Sequence, residues 1–110
     1  MATYLYQASY TNESWATQLQ QRQNVLERLR PLAKALKVEV KDAWYAFGDH
    51  DILVLAEAPE PEAAAAFALA VAAGSSVKSL KTTCLLSVAQ GQEAMKRASE
   101  AAPSYHAPIK

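Results

Sequence analysis

The chain has 110 residues, room for one domain, and eleven Lys plus Arg balance eleven Asp plus Glu, so no net charge recruits nucleic acid or an anionic membrane. Apolar types make up 51% of it, but 23 residues are alanine, so bulky core side chains are few and self-association is expected ahead of a rigid monomer. Cys84 is the single cysteine, which excludes an internal disulfide; the start shows no signal-peptide pattern, and the longest apolar run, Ala63 to Ala73, falls short of the roughly 20 residues of a spanning helix. A cytoplasmic protein with no membrane and no nucleic-acid partner is expected.

Thr3 to Tyr10 alternates, with Tyr4, Tyr6, Ala8 and Tyr10 on one face, and predicts the first strand. Thr11, Asn12 and Ser14 offer capping oxygens for a helix whose stripe runs from Trp15 through Leu19, Arg22, Leu26, Leu29 and Ala33 to Leu36. Pro31 inside that stripe predicts a kink or break near Leu29 and Arg30. Val38 to Phe47 and Ile52 to Ala58 predict a hairpin around the turn residues Gly48-Asp49-His50-Asp51, the second strand being nearly continuously apolar and so central. Pro59-Glu60-Pro61-Glu62 opens a second helix over Ala63 to Ala73, which Gly74 closes. Ser75 to Val88 predicts the fourth strand and Ala89 to Ala102 a weakly amphipathic helix stopped by Pro103. Residues 1–102 then form one domain and 103–110 a mobile tail.

The order βαββαβ plus a terminal helix predicts an α+β, ferredoxin-like sandwich: one antiparallel sheet with both main helices on one face. The other face has no helix to cover it. Either the strand-one tyrosines or Leu53 and Leu55 lie there, and pairing two sheets face to face would remove that apolar surface from water. The cation-rich stretch Arg22 to Lys41 and the anionic stretch Asp42 to Glu62 read as two solvated faces, with head-to-tail docking between protomers the sharper alternative.

The stretch Tyr45-Ala46-Phe47-Gly48-Asp49-His50-Asp51-Ile52-Leu53-Val54, followed by Glu57-Ala58-Pro59, the alanine-rich Ala63 to Leu69, and Val77 to Thr83, resembles the GYD domain family. Gly48 and Asp51 match the first and last positions of its naming motif, and His50 stands where that family usually has tyrosine. The resemblance implies a ferredoxin-like fold similar to dimeric α+β barrels. It implies no activity, substrate or cofactor.

Among candidate chemistry, His50 between Asp49 and Asp51 would have its proton affinity raised, as a general base requires, although Asp and Gly in a turn are explained by turn chemistry alone. Asp51 at the mouth of its strand would also fix the hairpin by accepting backbone donors. A metal site needs three or more converging ligands, and the other histidine, His106, lies in the predicted tail, so neither metal nor cofactor is expected. Cys84 reads as a buried, inert thiol, because Lys81 points to the opposite face. Ile52 to Ala58 lacks the aromatics and cations of an RNA-binding strand.

Two readings follow. The first is a homodimeric or larger small-molecule-binding or assembly domain, its paired sheets enclosing a cavity lined by Tyr4, Tyr6, Trp44 and Tyr45, with Thr82 offering a donor. The alternative is a cofactor-independent α+β barrel enzyme, isomerase, cyclase or monooxygenase-like, with His50 or Tyr45 as acid–base group and Asp51 orienting it.

Overall fold

Strand β1 (Ala2–Tyr10) alternates as expected, and Tyr4, Tyr6, Ala8 and Tyr10 all turn to the buried side. It occupies the middle of a four-stranded antiparallel sheet of order β2-β3-β1-β4, with β2 at Glu39–Tyr45, β3 at Ile52–Ala58 and β4 at Val77–Leu85. The computed structural model describes residues 1–109; Lys110, the end of the predicted tail, lies outside them. The fold is α+β and ferredoxin-like, with an added helix after β4.

The first helical segment is two helices, α1 (Asn12–Gln21) and α2 (Val25–Leu36), and the break lies at Arg22–Asn24 rather than near Leu29 and Arg30. Arg22 takes a left-handed conformation (φ 45°), and its N–H closes α1 on the Gln18 carbonyl at 2.7 Å. The Asn24 side chain then accepts from the N–H groups of Leu26 and Glu27, at 2.9 and 3.4 Å, and opens α2. Pro31 stays inside α2 because both it and Glu27, whose carbonyl loses a donor, are exposed to water.

Helix α3 (Pro61–Ala73) starts on its proline and buries Ala63, Ala64 and Phe67 against the sheet. Methyl-sized side chains bring its backbone close enough for the Tyr6 hydroxyl to donate to the Ala64 carbonyl at 2.8 Å, while Phe67, 2% exposed, packs on the Tyr6 ring at 5.1 Å. Gly74 caps α3 in right-handed geometry, and the left-handed residue is Ser75 (φ 64°). Together α2 and α3 cover the tyrosine face.

The opposite face carries Leu5, Leu53, Leu55 and Leu85, only half-buried, and Trp44, 48% exposed. A β-bulge between Val40 and Asp42 sets Lys41 against Glu39 and, across the ladder, Glu57 at 3.8 Å. Cys84 is exposed, not buried: β4 is an edge strand, and Thr82, next to it on the same face, is exposed as well.

Helix α4 (Val88–Ala101) has a full capping box, in which the Ser87 hydroxyl accepts from the Gln90 N–H and the Gln90 side chain accepts from the Ser87 N–H. It buries none of its residues and passes into a 3-10 turn at Ala102–Ser104. The chain therefore measures 58 × 32 × 22 Å, with a radius of gyration of 17.6 Å where roughly 13 Å is usual for this length. No helix among the described residues is long and apolar enough to cross a membrane.

Burial raises the phenol of Tyr6 to about 12, and burial is also the main cause of the upward shifts at Tyr4 and Tyr10. The neutral phenol is the form the fold favours. Its contribution to stability is complete below the ordinary pKa of 10 and is lost as pH rises toward 12. Urea unfolding followed by circular dichroism is expected to show the midpoint falling across that interval, and Tyr6→Phe, which cannot ionise, to fall less steeply; equal slopes would refute the assignment.

Candidate functional site

The inward column of β1 has one gap. Ala8 stands between Tyr6 and Tyr10, in register with Ile52 on one side and Leu80 on the other, and from α3 above it come the small side chains of Ala68 and Ala70. Side chains this short leave a cavity of about 230 Å³ between the sheet and helices α2 and α3, in a core that would otherwise close to crystal-like density. Its walls are mostly apolar, with Val25, Leu29, Phe67 and Val71 on the helix side.

At its mouth lie Arg28, Gly74 and Ser76, which also line a second, more polar cleft of about 330 Å³ bounded by Thr11, Ser14 and Gln18. The chamber therefore opens into a polar vestibule. The Arg28 guanidinium donates to the Tyr10 hydroxyl at 3.4 Å and forms no ion pair among the described residues. Burial pushes the Tyr10 phenol up, and the neighbouring Arg28 charge pulls against that shift.

Asp51 acts as the anchor that turn chemistry suggests. Its carboxylate Oδ2 accepts from the Tyr10 backbone N–H at 2.9 Å and from the Trp15 indole N–H at 3.2 Å. Its own N–H donates to the Ala8 carbonyl at 2.8 Å and its carbonyl accepts from Ala46 at 2.9 Å. One residue thus ties the β2–β3 hairpin to the corner where β1 passes into α1. His50, half-buried in the turn, accepts from the Gly48 N–H through its carbonyl at 3.2 Å, and its imidazole lines neither cleft.

The residues expected to share one cavity are divided by the sheet. Tyr4 and Tyr6 are buried under the helices; Tyr45 shares their side of the sheet but sits at its edge, 6.5 Å from Trp15, whereas Trp44 faces the open side. Thr82 is in register with Tyr6 but exposed on edge strand β4. Beside Tyr45, Phe47 takes a left-handed conformation (φ 53°), 73% exposed, and stacks on Tyr45 at 5.8 Å and on Trp15 at 6.0 Å. Among the described residues no three His, Cys, Asp or Glu side chains converge as a metal site would require. No local pattern singles out Arg28: the predicted stripe runs through Leu26 and Leu29, whereas the fold turns Val25 and Leu29 inward and leaves Leu26 exposed, with Arg28 one turn after Val25 at the mouth.

The one-sided α+β sandwich, with its antiparallel sheet order β2-β3-β1-β4, places the chain among small ferredoxin-like domains. Within it, the GYD domain profile matches residues 4–95, and the chain belongs to that family. No curated protein matches. Solved structures similar in fold include FFRP-DM1, at 17% identity and a TM-score of 0.57, covering 78% of this chain and 100% of that one. A hypothetical protein, PHS023 from Pyrococcus horikoshii, has 17% identity and a TM-score of 0.55 over 79% of this chain and 92% of its own. MtbAldR has 11% identity and a TM-score of 0.54 over 78% of this chain and 52% of its own.

Removing the Asp51 carboxylate leaves the buried end of β1 with an unpaired N–H. Asp51→Ala is expected to cost about 1–3 kcal/mol in urea unfolding followed by tryptophan fluorescence, and Asp51→Asn, which keeps an acceptor oxygen, distinctly less. Equal losses would show that the anchor does not act through those hydrogen bonds.

Proposed function

We propose that this GYD domain is a homo-oligomeric small-molecule-binding domain, pairing through its open sheet face and holding its ligand in the chamber on the covered face. The observation that carries this reading is the unequal treatment of the two faces. One bears the tyrosines, two helices and an apolar chamber of about 230 Å³; the other bears Leu5, Leu53, Leu55, Leu85 and Trp44 with no helix over them. A second copy seated there would bury the same residues on both sides, as a two-fold interface requires. Of the charges on that face, Lys41 is matched by Glu39 and Glu57 at one edge, while Lys81, in register with Gln7 near the other, forms no ion pair among the described residues.

In this reading Trp44 belongs to the interface, and Tyr6, rather than Tyr4 or Thr82, meets the ligand. Acid–base catalysis by His50 with Asp51 or Tyr45 draws no support from a carboxylate already engaged by Tyr10 and Trp15.

Size-exclusion chromatography with light scattering at micromolar concentration is expected to give a dimer or larger species. Leu55→Lys, which sets a charge on β3 in the middle of the open face, is expected to give monomers of unchanged circular dichroism. A wild-type monomer under those conditions overturns the pairing.

A further inference from the structure

We propose that the chamber takes a small amphipathic carboxylate, its apolar body resting over Ala8 and its anionic head held at the mouth by Arg28; this rests on the small-molecule reading above.

The volume sets the size. An apolar cavity of about 150 Å³ holds a benzene ring, so about 230 Å³ accommodates a ring with a short chain. The lining sets the polarity of the body. The Tyr6 hydroxyl is spent on the Ala64 carbonyl, and the remaining walls are largely aliphatic or aromatic, so a polar group deep inside would lose its water and gain no partner.

The mouth sets the charge. The first turn of α2, with Val25 and Arg28, faces the last turn of α3, with Ala70, Val71 and Gly74. Helix ends of opposite partial charge offset one another there, which leaves the guanidinium as the full charge shared by chamber and vestibule. Glu13 lines the vestibule alone, outside the chamber. Arg28 has no carboxylate partner among the described residues, and its planar fork fits a carboxylate in two-point geometry. The Tyr10 hydroxyl accepts from Arg28, so its own proton is free to donate to the same head group.

The test uses two probes of equal shape, hydrocinnamate and its uncharged amide, with isothermal titration calorimetry for affinity and methyl NMR for location. In the wild-type protein the acid is expected to bind about tenfold tighter than the amide, shifting the methyl signals of Val25, Leu29 and Val71. Arg28→Gln is expected to remove that tenfold preference while the amide binds as before, and Ala8→Leu, which fills the floor, to abolish binding of both. Equal binding of acid and amide in the wild type, with shifts at those methyls, overturns the carboxylate assignment and leaves the chamber as a binding site. Binding of neither probe, or shifts confined to other methyls, overturns the chamber reading and this inference with it. The acid–amide comparison in the unmutated chain decides the matter even if Ala8→Leu fails to fold.

Discussion

The structure depends on a column of tyrosines pointing inward from its central strand. A buried phenol brings a large apolar ring and a hydroxyl that must find a partner. Tyr6 finds its partner on the backbone of α3, and Tyr10 meets the guanidinium of α2, so each hydroxyl ties the central strand to one of the two covering helices. Ala8 between them is too short to reach either helix, and the chamber is the space it leaves.

Alanine works in two opposite ways in this chain. Along the inner side of α3 it lets the helix backbone descend until Phe67 and Tyr6 touch. At Ala8, Ala68 and Ala70 the same small side chain meets others of its kind and nothing fills the gap. The scarcity of bulky apolar residues thus yields close contact where one partner is large and a cavity where neither is.

Strands β1 and β3, the hairpin and the proline start of α3 were legible in the sequence because alternation, turn residues and helix-start chemistry act locally. The break between α1 and α2 was not, since Pro31 is the louder signal and Arg22 is no common choice for a left-handed cap. Proline broke nothing because it falls on the wet side of the helix. Cys84 reads as buried from strand alternation, which sets Lys81 on the other face, but β4 lies at the edge of the sheet, a position that no local pattern encodes. Asp51 could be read as a turn anchor, while its bond to the Trp15 indole required the fold. The chamber is an absence of side chains brought together from β1, α2 and α3, and Arg28 at its mouth looked like one more cation on a helix.

Helix α4 has a different standing from the rest of the chain. Fourteen residues are ordered there by a capping box and by backbone hydrogen bonds, without burial to set against the lost conformational freedom. In an isolated protomer its order and that of the sandwich are separate equilibria, so heating one copy melts two units rather than one. Whatever surface comes to cover α4 would join the two into a single cooperative transition.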